Sequence, residues 1–224
     1  MAGYGVTLVE FPAAEGKLEE MYKQFIEHPM GGGYTASQPG FLSMDVAIDT
    51  ENNSVILFEK WSKADDWRAY VATRDVENEA NAGFNAAVCP LVAWHRAPRM
   101  APMDCRKNYA GSAPAAEDGS YGITLVEFPA AEGKLEEMYK QFIEHPMGLA
   151  YSQKQPGFVN AEVAFDTKKN SIVLLEKWSK ADDWRAYAKT REVENEANAG
   201  WNAVFGPLVG GAPRMVPMDC RKSY

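Results

Sequence analysis

Hydrophobic and polar positions change period several times within the first hundred residues. Val6–Phe11 is rich in β-branched residues and alternates weakly, which predicts a strand that Pro12 closes. Leu18, Met21, Tyr22, Phe25 and Ile26 then recur at i, i+3, i+4, i+7 and i+8, the single apolar stripe of an amphipathic helix. Glu15, Glu19 and Glu20 lie near its positive end, and His28, Pro29 and Gly31 terminate it, with the imidazole expected to cap the negative end. Phe41–Asp49 and Ser54–Trp61 read as strands joined by a polar turn over Asp49–Asn53. Ser62 is placed to cap a helix running through Asp65, Asp66 and Trp67, and a further helical stretch covers Asp75–Val88. There Asn78, Asn81 and Asn85 fall opposite Val76, Ala80, Phe84 and Ala87, so the asparagines are expected to face solvent. Leu91–Trp94 and Pro98–Met103 form a last extended segment, whose prolines favour a sheet edge.

The whole pattern occurs twice. Tyr4–Gly31 recurs at Tyr121–Gly148 with one change, Val6 to Ile123, and the offset of 117 holds as far as Val92 and Val209, with about three-quarters of the positions identical. The first copy then carries two extra residues, and both copies close on Pro-Met-Asp-Cys-Arg-Lys and a nearby tyrosine, Tyr109 and Tyr224. This predicts a first repeat over 1–109, a flexible linker over 110–120 and a second repeat over 121–224. The element order of each is βαββαβ, a ferredoxin-like α+β arrangement with helices on one sheet face only. The bare face needs cover, and the second copy is suited to supply it, the two repeats packing sheet-to-sheet as an intrachain pseudo-dimer. The repeats differ most in strand two, and at Phe84 against Trp201 and Ala87 against Val204, which predicts two pockets of different volume.

Composition narrows the function. The 224 residues are 46% hydrophobic and 24% charged, ordinary for a globular chain. A net charge of −8 argues against a general nucleic-acid binder and against docking on an anionic membrane. No apolar run approaches the ~18–20 residues that span a bilayer, and the N-terminus lacks the basic start and apolar region of a secretion signal. Cys89, Cys105 and Cys220 form no CxxC pair, so a reducing, cytoplasmic setting is expected. No His/Asp/Glu cluster has metal-ligand spacing, and no GxGxxG or P-loop is present. Neither a metal nor a nucleotide cofactor is expected.

Strand alternation places Val55, Leu57, Glu59 and Trp61 on one face, with Ile56, Phe58 and Lys60 on the other. A carboxylate on an aromatic-lined face is costly unless paired. Glu59 and Glu176 are therefore candidate general bases of raised pKa, with a pair to Arg68 and Arg185, or to another cation, as the alternative. Trp61 and Trp178 share that face, and Tyr70 and Tyr187 lie one turn beyond Trp67 and Trp184.

Gly16-Lys17 entering helix one, Pro39–Phe41 before strand two and Glu59-Lys60-Trp61 ending strand three resemble the antibiotic biosynthesis monooxygenase family. Gly133-Lys134, Pro156–Phe158 and Glu176-Lys177-Trp178 match in the second copy. The resemblance implies a dimeric α/β barrel. It also implies a cofactor-independent oxygenase acting on a small aromatic, quinol or polyketide-like molecule. By analogy Trp61 and Trp178 match the strand tryptophan that faces substrate in such oxygenases, and Trp67 and Trp184 match an aromatic six positions on. Leu57 and Leu174 stand where those enzymes carry an asparagine. The haem-degrading branch would need a ligand near Ala80 or Asn81, and none is there. The strand-face reading and the resemblance together put forward Glu59, Glu176, Trp61 and Trp178 as catalytic residues, and, with the helix spacing, Leu57, Leu174, Trp67, Trp184, Tyr70 and Tyr187 as substrate contacts. The expected partner is a small aromatic ligand, with further homo-oligomerisation left open. The alternative is a non-enzymatic barrel that binds a small apolar ligand or has a stress-associated role.

Overall fold

The computed structural model describes residues 4–111 and 121–223. Beyond Gly111 the expected linker lies outside the described residues. The first copy runs β1 (Gly5–Pro12), α1 (Leu18–Glu27), α2 (Gly32–Ala36), β2 (Phe41–Asp49), β3 (Ser54–Trp61), α3 (Ala64–Arg74), α4 (Glu79–Val88) and β4 (Arg99–Ala110). The second runs β5 (Tyr121–Pro129), α5 (Leu135–Glu144), α6 (Leu149–Ser152), β6 (Phe158–Asp166), β7 (Ser171–Trp178), α7 (Ala181–Glu192), α8 (Glu196–Phe205) and β8 (Arg214–Ser223). Each copy is α+β and ferredoxin-like, with an antiparallel sheet.

The chain forms two compact units, Met1–Asp104 with Cys220–Tyr224, and Cys105–Asp219. In the first, β1 lies between β3 and the first half of β4, in register Leu8↔Phe58 and Leu8↔Ala101. β2 pairs β3 on one side and the end of β8 on the other, through Asp45↔Ser223 and Ala47↔Cys220. In the second unit β7 lies between β5 and β6, and β6 receives the end of β4 through Cys105↔Ala164 and Tyr109↔Ala161. The unit boundaries therefore cut β4 and β8 at mid-strand.

Each sheet packs its helix-facing residues against the α1 or α5 stripe. Val55, Leu57 and Trp61 cluster with Met21, Phe25 and Trp67, and Ile172, Leu174 and Trp178 with Met138, Phe142 and Trp184. Residues of the opposite face, Val6, Leu8, Ile56 and Phe58, are buried as well. Among the described residues no helix is long and apolar enough to cross a membrane.

Three local expectations are corrected. The helix after β3 begins one residue later, with Lys63 at its cap, and the Ser62 hydroxyl donates to Asp66 Oδ2. The stretch over Asp75–Val88 is helical only from Glu79, because Asn78 turns its side chain to accept the Asn81 N–H at 2.8 Å. Asn81 is not solvent-facing. It is 4% exposed, and its Nδ2 donates to the carbonyls of Thr73 and Val76, both at 2.8 Å, which fastens α4 to the end of α3. Asn198 repeats this bridge on Thr190 and Val193. Helical periodicity placed Asn81 opposite the apolar side of α4, but that side of the helix meets the preceding chain reversal rather than water. Asn198→Ala removes the two hydrogen bonds that fasten α8 to the end of α7 and should cost about 1–3 kcal/mol, read as a lower midpoint of chemical denaturation, whereas Asn202→Ala on the exposed side should be close to neutral.

Candidate functional site

The helix-facing side of β3 carries an acid among apolar groups. Glu59 is 3% exposed and Trp61, two residues on and therefore on the same face, is fully buried. The Trp61 indole donates from Nε1 to Glu59 Oε2 at 3.1 Å. Burial pushes the Glu59 carboxyl up to about 7, against smaller opposing effects of the Trp61 and Trp67 indoles and the Arg74 charge. Arg68 does not partner Glu59 as proposed from sequence. It points outward and pairs with Asp65 at 2.6 Å, as Arg185 does with Asp182 at 2.8 Å, because these exposed acids lie one turn earlier on the same helix.

Trp61 stacks on Tyr70 of α3 with ring centroids 5.2 Å apart, and Phe41 meets its edge at 5.5 Å. Arg74 donates to the Tyr70 hydroxyl from Nε at 2.9 Å and Nη2 at 2.8 Å. A guanidinium has no acceptor, so the tyrosine oxygen accepts both and its own proton turns to Thr35 Oγ1, 2.8 Å away. Thr35 in turn donates to the Gly31 carbonyl at 3.3 Å. Desolvation raises the Tyr70 pKa, so the hydroxyl stays protonated.

These groups line a cavity of about 440 Å³ between the sheet and helices of the first unit, within the ~300–1,000 Å³ range of small-molecule sites. Leu57, Glu59, Trp67 and Tyr70 contribute to its wall, with Phe11, Phe25 and Phe84 supplying aromatic surface. Trp61 sits behind that wall, holding Glu59 and backing Tyr70. Sequence reasoning passed over Arg74, although it follows Trp67 and Tyr70 at i+7 and i+4 on one helix face. Thr35 belongs to α2, a short helix that no sequence pattern announced.

The second unit repeats the acid and its holder. Glu176 Oε2 accepts from Trp178 Nε1 at 3.3 Å and Trp184 Nε1 at 3.0 Å, and burial pushes its carboxyl up to about 7. Trp178 stacks on Tyr187 at 5.2 Å, and Tyr187 meets Ser152 at 2.8 Å and Arg191 at 2.9 and 2.8 Å. Leu174 is fully buried in the helix-side core. Neither His28 nor His145 caps its helix through the ring. Nδ1 of each accepts a backbone N–H two residues on, and the backbone N–H of His28 closes the helix on the Gln24 carbonyl. Among the described residues no group of three His, Cys, Asp or Glu side chains is arranged to hold a metal ion.

Residues 6–80 match the antibiotic biosynthesis monooxygenase family model. No curated protein matches the sequence. Among solved structures the fold is similar to a candidate monooxygenase from Fusobacterium nucleatum, at 14% identity and a TM-score of 0.68 over 99% of this chain and 94% of that one. It is also similar to an anthrone oxidase-like protein, at 15% identity and a TM-score of 0.69 over 99% and 92%. A third relative in fold is a candidate monooxygenase from Lactobacillus acidophilus, at 9% identity and a TM-score of 0.59 over 96% and 93%.

The raised carboxyls couple folding to pH. Each holds a proton in the folded chain up to about 7, against an ordinary value of 4.5. Their stabilising contribution is complete below about 4.5 and is lost as pH rises through 7. Replacing Glu59 and Glu176 together by Gln should therefore raise stability relative to the parent at pH 8 and change it little at pH 4.5. Denaturant titrations at the two pH values measure this, and a larger gain at the acid end would contradict it.

Proposed function

We propose, from the match of residues 6–80 to the antibiotic biosynthesis monooxygenase family model, that the chain is a cofactor-independent monooxygenase of a small aromatic, quinol or polyketide-like substrate. The observation that carries this reading is the Glu59 carboxyl, titrating near 7 at the wall of an apolar cavity. A base of that pKa takes a proton from a weak carbon or phenol acid near neutral pH, which an ordinary glutamate does poorly.

In the proposed reaction an activated CH₂ or phenolic substrate enters the cavity while Glu59 is ionised. The carboxylate takes one proton and leaves an electron-rich enolate or phenolate. Its carbon reacts with dioxygen to form a C–O bond, and protonation gives a hydroperoxide. Loss of water from the hydroperoxide of a CH₂ substrate leaves a ketone. One oxygen atom of O₂ enters the product and the other leaves as water, with the substrate carbon supplying all four electrons. Trp61 holds the carboxyl, while Trp67, Tyr70 and Leu57 form walls that exclude water from the anion. Leu57 supplies no amide to a substrate oxygen, so hydrogen bonding there must come from other groups on the wall. Leu57 also favours the second reading, a binding site for a small apolar ligand without turnover.

Oxygen uptake with a panel of anthrones, quinols and naphthols separates the two. Turnover is expected for at least one of them, and Glu59→Gln should lower kcat by at least a hundredfold with a much smaller effect on KM. The kcat profile should rise with an apparent pKa near 7. Undiminished turnover in Glu59→Gln would remove the proposed base, and ligand binding without oxygen uptake would favour the second reading.

A further inference from the structure

The two repeats hold the same acid in the same way, yet they differ in what surrounds it. In the first unit the buried Arg74 Nη1 has no hydrogen-bond partner, while the Trp67 indole serves the Glu59 carboxyl. Both residues line the cavity. In the second unit Trp184 Nε1 likewise donates to Glu176, at 3.0 Å, but Arg191 Nη1 donates to the Met147 carbonyl at 2.6 Å. A buried donor without an acceptor is destabilising. The first unit bears that cost at Arg74, while the second repeat meets the same demand with a carbonyl of its own.

The apolar lining differs in step. Val88 borders the cavity of the first unit, and the second copy has Phe205 at that place. Phe84 is replaced by Trp201. The Trp201 and Phe205 rings stack with centroids 4.4 Å apart, and Phe205 meets the edges of Phe128 at 5.2 Å and Phe142 at 5.4 Å. Both are buried, at 9% and 4% exposure. Two larger rings thus occupy the region that the first repeat lines with Phe84 and Val88.

We propose that the chain carries a single ligand site, in the first unit, which takes a planar aromatic molecule bearing an oxyanion or strongly accepting oxygen on Arg74 Nη1, and that the second unit is a closed copy. This deepens the proposed function, on which it rests for the chemistry of the ligand: an enolate or phenolate formed at Glu59 is such a molecule. Transfer of the proton to Glu59 moves the negative charge onto the substrate oxygen, where the unpaired Arg74 Nη1 is available to receive it. Trp201 and Phe205 would then be the residues that distinguish the copies.

Binding, which needs no turnover, tests this apart from the oxygenase reading. Calorimetric titration of the full chain with 2-naphthoate should give one site per chain, with affinity at least tenfold above that of neutral 2-naphthamide. Arg74→Met should remove most of that preference, and Arg191→Met should leave affinity within twofold. Trp201→Phe combined with Phe205→Val should move the stoichiometry toward two. Two equal sites in the parent chain, no binding of naphthoate, no preference for it over the amide, or an equal loss from Arg191→Met would each overturn the proposal. The parent-chain measurements decide the matter even where a variant folds poorly. Absence of oxygen uptake with naphthoate bound at one site would count against the oxygenase and leave the single site standing.

Discussion

A carboxyl group on the helix-facing side of a sheet, fastened by an indole N–H instead of an ion pair, is the constraint around which each half of this chain is organised. Alternation along β3 forces Glu59 and Trp61 onto one face, and their separation of two residues lets the indole reach back to the acid. The indole then needs cover. Tyr70 stacks on it, and Arg74 and Thr35 fix the tyrosine hydroxyl. One buried acid is thus linked, through hydrogen bonds and a ring stack, to residues on β3, α2 and α3. An acid kept from water in this way is poised near neutrality, where general-base chemistry is useful.

Duplication makes the surroundings of that acid informative. The acid, its tryptophan and the Tyr–Arg pair recur with closely similar distances in both copies. The differences fall on the lining: Val88 against Phe205, Phe84 against Trp201, Val71 against Ala188. A shared structural scaffold with a divergent lining is what two halves show when both must fold but only one must hold a ligand. In the second copy the arginine at this place is satisfied internally, Arg191 Nη1 donating to the Met147 carbonyl. In the first, the buried Arg74 Nη1 on the cavity wall has no such partner and calls for something beyond packing.

Much of this was legible in the sequence, for physical reasons that can be named. The duplication and the βαββαβ order follow from period changes that are strong in β1, β3 and α1. The face shared by Leu57, Glu59 and Trp61 follows from a period of two. What was not legible depends on contacts distant in sequence. Arg68 and Arg74 are equally cationic, and only the packing of α3 against the sheet turns Arg74 inward and leaves Arg68 with Asp65. The buried role of Asn81 depends on a chain reversal between α3 and α4 that hydrophobic periodicity does not encode. The difference between the halves was visible as Phe84 against Trp201, but Val88 against Phe205 gains meaning only when both rings are seen stacked.

The central claim is that the first half holds the ligand and the second half is its closed copy. A crystal structure of the full chain grown with a hydroxylated polycyclic aromatic tests it most directly. The account predicts one molecule, in the cavity bounded by Leu57, Glu59 and Phe84, with an oxygen within hydrogen-bond distance of Arg74 Nη1. A molecule bound beside Glu176 with Trp201 and Phe205 displaced, or one seated in the first cavity with its oxygens turned away from Arg74, would contradict it.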